Sequence, residues 1–299
     1  MSITKILLII AISLIVAGSI IFVCAMTSIG WDFSKLSRAK YVTNSYDIDE
    51  PYKEISIKAE TADIVFAVSE DSSYRVECYE QERVKHEVSV KDGTLMIAIN
   101  DTRAWHDYIG FNFDSPKITV YMPAGEYGAL SIKLSTGNVE VSRDFCFNSI
   151  DISSSTGKIT NFASAKGDVK LEVSTGKILV SNISAGSLDV KVSTGDANIS
   201  SVRCKSFASD GSTGDIELED VIAEERLTIK RSTGDISFDE CDAGELFIQT
   251  STGNVEGSLL SEKIFIVDTD TGSKKVPSST VGGKCEIKTD TGNIKISIK

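Results

Sequence analysis

The chain has 299 residues, of which 41% are apolar, only 7% are aromatic and four are proline. That is enough for one or two domains with a core of small, branched side chains, and it argues against a Pro-rich stalk. The formal charge of -12, from 43 acidic and 31 basic residues with no Lys/Arg-rich stripe to offset it, makes nucleic acid a poor partner.

In chain order the first element is apolar. Between Lys5 and Asp32 lie 26 residues without a charge, Ile6 to Trp31. A bilayer needs about 20 apolar residues, and Trp31 sits where an interfacial aromatic belongs. Residues 1–31 are therefore expected to form an uncleaved transmembrane anchor that contacts membrane lipid. The rival reading is a signal peptide cut after Ala25, with Val23 and Ala25 at the -3 and -1 positions. Lys35, Arg38 and Lys40 follow the span and only Lys5 precedes it, which taken alone places the C-terminal part in the cytoplasm. Against that, the segment before the span is very short and the rest is β-rich with few aromatics. The expected topology is single-pass with an extracytoplasmic C-terminal domain.

Residues 32–45 read as a juxtamembrane linker. Residues 46–128 read as irregular β-structure that caps the C-terminal part of the chain. Alternation is visible in Glu54-Ile55-Ser56-Ile57-Lys58 and in Thr94-Leu95-Met96-Ile97-Ala98-Ile99, with a turn at Lys91-Asp92-Gly93-Thr94.

Residues 129–299 are periodic. A Ser/Asp-Thr-Gly tripeptide recurs with its glycine at Gly137, Gly157, Gly176, Gly195, Gly214, Gly234, Gly253, Gly272 and Gly292, at spacings of 19 or 20. A fixed period of that length signals a stacked repeat. Within each repeat, apolar residues fall five and seven positions before the glycine and two and four after it, as Ile152, Ile150, Ile159 and Leu171, Val169, Ile178, Val180 do. Period 2 means strands with one buried face. The expected fold is all-β: a parallel β-helix or β-solenoid of about nine coils, with the glycines as corners that need positive φ.

Three functional readings of the tripeptide compete with this structural one. Asp270-Thr271-Gly272 and Asp290-Thr291-Gly292 match the aspartic-protease tripeptide, but their aspartates occupy the phase that serine holds in the other coils. The serines have no positioned base, because His86 and His106 lie outside the repeats. Asp196, Asp215 and Asp235 follow the glycine in successive coils and would form a like-charge column able to attract Ca²⁺. Lys158 and Lys177 hold the same phase, so turn aspartates are the preferred reading. No catalytic residue, cofactor or metal site is expected.

The five cysteines after the span, Cys78, Cys146, Cys204, Cys241 and Cys285, show no disulfide framework and no zinc-site spacing. Residues 100–116 break the pattern and carry Trp105, His106 and Tyr108. They read chiefly as a cover for the solenoid's open end, and as the one weak candidate for partner binding.

The strand Ile118-Thr119-Val120-Tyr121-Met122-Pro123, the run Leu130 to Val139 and the later Ser-Thr-Gly-Asp-Ile repeats resemble the putative-adhesin family of Gram-positive bacteria, whose function is unknown. The resemblance covers residues 46–299. It implies a stacked β architecture and brings no catalytic residues. The expected function is a membrane-anchored, cell-surface adhesin or envelope-interaction module, with a cell-envelope protein or glycan as partner. Two alternatives are a sensory or scaffolding partner in envelope stress and a polysaccharide-acting solenoid enzyme.

Overall fold

The computed structural model describes residues 3–32, 40–102 and 114–299. Helix α1 spans Ile3–Ser28, and its Ile, Leu and Val side chains are exposed all around. At about 1.5 Å per residue a helix of this length exceeds the apolar thickness of a bilayer. Among the described residues every element after it is a β-strand.

Eight strands build the N-terminal end: β1 (Tyr41–Asp47), β2 (Glu54–Thr61), β3 (Asp63–Val68), β4 (Arg75–Gln81), β5 (Val84–Lys91), β6 (Thr94–Asp101), β7 (Lys117–Met122) and β8 (Gly125–Thr136). The rod continues through β9 (Val139–Val141), β10 (Phe145–Asn161), β11 (Ser164–Ala165), β12 (Asp168–Thr194), β13 (Ala197–Thr213), β14 (Ile216–Thr233), β15 (Ile236–Thr252) and β16 (Val255–Leu259). It ends in β17 (Lys263–Thr271), β18 (Lys274–Lys275), β19 (Gly283–Thr291) and β20 (Ile294–Ile298).

The expected solenoid is present. Successive coils pair in parallel and in register, Thr156 beside Thr175, Thr194 beside Thr213 and Thr213 beside Thr233. Each coil has three short faces. Around Gly195 the inward residues are Ile183 and Ala185, then Leu188, Val190 and Val192, then Ala197 and Ile199, all buried except the half-buried Ala185. The inward alternation restarts at each corner. One corner is Thr-Gly. A second is a left-handed residue six positions after the glycine: Asn182, Ser201, Asp220 and Glu240 have φ of 64°, 51°, 52° and 50°. The third falls nine positions before it, at Gly167, Gly186 and Gly244 among others.

Two findings go beyond the expected stack. First, the region read as irregular contains coils of the same solenoid. β2 pairs with β8 so that Thr61 lies beside Thr136, and β3 pairs with β9. Ala62 therefore stands at the glycine position. β6 and β7 form a further coil on the other side of β2 and β3. Antiparallel strands finish this end: β5 against β6, β4 against β7 and β1 against β4. The stretch 32–45 is thus not all linker. Tyr41 already pairs with Gln81, and the polar run Tyr41-Val42-Thr43-Asn44-Ser45 showed too little alternation to be read as a strand.

Second, spatial order departs from chain order at both ends. β2–β3 lies between β6–β7 and β8–β9. At the far end β15 pairs with β19, and β17 also pairs with β19. The chain's last coil is threaded between the coil of Gly253 and the coil of Gly272. Among the described residues the terminal coil therefore has a sheet neighbour on one side only, and its core-facing Phe265 and Val267 are only half-buried.

Candidate functional site

The Thr-Gly corner is the most motif-like feature, and its geometry is structural. The nine glycines have φ between 121° and 155°, a region that side chains avoid. A Cβ added to any of them would lie 1.8–2.1 Å from a carbonyl oxygen of the adjacent coil. Each corner is also bonded to its neighbour. The Gly195 N–H donates to the Thr213 carbonyl at 2.8 Å, and the Gly214 N–H donates to the Thr233 carbonyl at 3.0 Å.

The residue after the glycine forms a second column. Asp215 N–H donates to Asp196 Oδ1 at 3.2 Å, Asp235 N–H to Asp215 Oδ1 at 2.8 Å, and Asn254 N–H to Asp235 Oδ1 at 2.7 Å. The same pattern runs from Asp63 to Asn138 and from Asn254 to Asn293. One oxygen of each aspartate is thus committed to the next coil's backbone, a longer-range version of the bond that Asx residues make in turns. A ladder of the tripeptide threonine hydroxyls is not what bonds the corner among the described residues. Hydroxyls two residues earlier in the coil do so: Thr269 Oγ1 donates to the Gly292 carbonyl at 3.0 Å and Thr289 Oγ1 to the Gly253 carbonyl at 3.1 Å. Asp270 and Asp290 are neighbours in the stack, yet both are exposed on the rod's surface and face no partner lobe.

Elsewhere the surface offers shallow features. A groove of about 750 Å³ lies beside the first coils, lined by Tyr52, Tyr74 and Tyr127 with Lys53, Asp92 and Glu126 at its rim. Tyr52 and Tyr127 are 5% and 7% exposed, so their rings are chiefly core. Burial raises the pKa of both phenols, and they stay neutral. Trp105, His106 and Tyr108 lie outside the described residues. Their flanks show where the segment departs: it joins β6 to β7, at the place where the neighbouring coil turns at Thr61-Ala62-Asp63.

One polar cluster was missed in the sequence. Cys78 and Glu80 are two apart on β4 and point to the same, inward side. Among the described residues β4 and β5 pair only at Gln81 and Val84, then part to different neighbours, β4 to β1 and β7 and β5 to β6, so His86 on β5 faces Cys78 and Glu80 across the interior. Glu80 Oε1 accepts from Asn44 Nδ2 at 2.6 Å, and Oε2 accepts from the His86 backbone N–H at 2.6 Å and contacts His86 Nδ1 at 2.7 Å. Burial and Glu80 together push the Cys78 thiol up to about 12. A thiol so held is no nucleophile at neutral pH, and at 0% exposure it meets no substrate. The sequence signal was Glu80 itself: a carboxylate at an inward phase, two after Cys78, requires a buried partner.

The three-faced parallel coil, its glycine corners and its Asx column define a β-solenoid of stacked repeats. The chain belongs to the Toastrack DUF4097 family, which matches residues 52–296. No curated protein is a significant sequence match. Among solved structures the fold is similar to a putative adhesin from Parabacteroides distasonis, with a TM-score of 0.52 and 15% identity over 86% of this chain and 98% of that one. It is similar to a putative adhesin from Parabacteroides merdae, with a TM-score of 0.51 and 12% identity over 87% of this chain and 98% of that one. A putative lipid binding protein from Parabacteroides distasonis also has a TM-score of 0.51, with 16% identity over 87% of this chain and 98% of that one.

Proposed function

We propose that the protein is a single-pass membrane protein that presents a non-catalytic β-solenoid outside the cytoplasmic membrane, as an adhesin-like or envelope-interaction module of the Gram-positive type its sequence resembles. The observation that carries this reading is α1. Its 26 residues contain one charge, Lys5, and none of its most apolar stretch is buried against the rod. An exposed apolar cylinder of this length is stable in lipid and not in water. Only residues 29–40 separate it from β1, so the antiparallel end of the rod is tethered close to the bilayer.

The faces of the rod support a binding role over catalysis. Among the described residues Cys78, Cys204, Cys241 and Cys285 are buried, the paired Asp270 and Asp290 lack a cleft, and the column aspartates are engaged with backbone. A cell-envelope protein or glycan is the partner that this placement suits. The similarity to two adhesins and a lipid binding protein, each so called only provisionally, agrees with a surface role, and the lipid contact inferred for this chain is the one made by α1.

Fractionation tests the anchor. The full chain should stay with membranes through an alkaline wash, and a chain lacking residues 1–32 should be soluble. Recovery of a soluble product that begins at Met26 would instead establish a cleaved signal peptide. An array of glycans and envelope proteins probed with the full chain in detergent should then return a saturable ligand, and none on either array would count against an adhesive role.

A further inference from the structure

We propose that Cys78, Glu80 and His86 form a buried binding site for one divalent transition-metal ion, with Zn²⁺ as the best match. Each residue offers a ligand atom, and these atoms lie within 4.8 Å of one another. All three side chains are inside the rod's N-terminal end: Cys78 and Glu80 are 0% exposed and His86 is 3%. Thiolate sulfur, imidazole nitrogen and carboxylate oxygen are the three donor types that zinc accepts, commonly four-coordinate with one position left for water or another ligand.

The contacts of the ring show which nitrogen faces the cluster. His86 Nδ1 lies 2.7 Å from Glu80 Oε2, so Nδ1 is the nitrogen placed to share an ion with Glu80 and Cys78. Nε2, on the opposite edge, is buried and has no hydrogen-bond partner, so no bond there holds the ring against a small shift toward the ion. The surroundings are rigid: Asn44 Nδ2 holds Glu80 Oε1 at 2.6 Å, and the Tyr46 hydroxyl donates to the His86 carbonyl at 3.2 Å. A local reason for such a site exists in the fold. β4 and β5 share a single register pair and then diverge, and an ion bridging Cys78 and Glu80 to His86 ties the two strands together where the sheet does not.

When the ion binds, the Cys78 S–H bond breaks, the sulfur pair forms the metal bond and the thiol proton leaves to solvent. Metal binding is thus coupled to proton release, as for other thiolate sites.

The test uses the metal-free full chain in detergent, titrated with Zn²⁺ against a chromophoric chelator, with bound zinc counted by elemental analysis. The expected result is one zinc per chain, proton release on binding, and a raised melting temperature with zinc. Cys78→Ser and His86→Gln should each weaken binding by at least ~10–100-fold, whereas Cys146→Ser, a half-buried cysteine outside the cluster, should leave it unchanged. Titration of the unaltered chain with Co²⁺ adds a readout that does not depend on any variant folding: a thiolate-to-cobalt absorption band is expected. Absence of stoichiometric zinc and of that band would overturn the proposal, as would zinc bound equally well by folded Cys78→Ser and His86→Gln.

Discussion

Replacing Gly195 with valine is expected to destabilise the rod by about 3 kcal/mol or more, read as a lowered denaturation midpoint. Two costs add. Gly195 has φ of 125°, and forcing a side chain into such a region costs about 1–3 kcal/mol. Its Cβ would also stand 1.8 Å from the Gly176 carbonyl oxygen and 2.9 Å from its carbon. That oxygen belongs to a backbone locked on both sides, so neither coil can withdraw without breaking register with the next. The control is Gly125→Ala. A Cβ there meets nothing within 4 Å and the backbone is not left-handed, so the change should stay within about 0.5 kcal/mol. Equal effects at the two sites would contradict the corner assignment.

Deleting residues 283–299 should release the terminal coil and leave the rest of the rod folded. β17 pairs only with β19 among the described residues, and β18 only with β20. Without them Lys263–Lys275 has no sheet neighbour, and a coil of a repeat protein without its neighbour loses most of its stability. Limited proteolysis read by mass spectrometry should show rapid cleavage between residues 260 and 282 and protection upstream. If coils were stacked in chain order, the same deletion would remove the end coil and leave 263–275 protected against β15. A deletion that ends the chain at Ser261 should be quieter, because it removes both coils and exposes the edge of a complete one.

Much of this architecture is legible from residue types, for a physical reason. Parallel stacking in register places each phase in a column, so the pattern repeats and single exceptions stand out. The exceptions at inward phases have local causes. Ser209 and Gly211 make room for Arg231, which is 4% exposed and whose Nη2 donates to Ser209 Oγ at 3.1 Å; a Cβ at Gly211 would lie 1.8 Å from its Nη1. Burial lowers the Arg231 pKa while Asp210, Asp196 and Asp215 oppose the shift. Gly257 is small because the Phe238 ring of the adjacent coil fills its place, 2.3 Å from an added Cβ. Lys274 is tolerated because it belongs to the end coil, where that phase is exposed and its Nζ reaches Asp268 at 2.9 Å.

What the residues hid depends on distance along the chain. Period and phase say which residues share a column but not which coil is next, so the threading of β19 between β15 and β17 left no trace in the pattern. The coil of β6 and β7 was hidden because its corner carries the 102–116 insertion instead of Thr-Gly. The Cys78–Glu80–His86 cluster was hidden because it arises where a hairpin opens and its two strands take different neighbours, and no short spacing encodes that.

Protease treatment of intact cells decides whether the rod, tethered by α1, is held outside the cytoplasmic membrane. The charged residues after the span, Lys35, Arg38 and Lys40, would favour a cytoplasmic rod if they set the topology. With an epitope at each end of the chain, external protease is expected to remove the C-terminal epitope from intact cells and to leave a membrane-held fragment containing α1. Full protection of the C-terminal epitope until the cells are lysed, with a secreted protein of known sensitivity cleaved in the same sample, would contradict an extracytoplasmic rod.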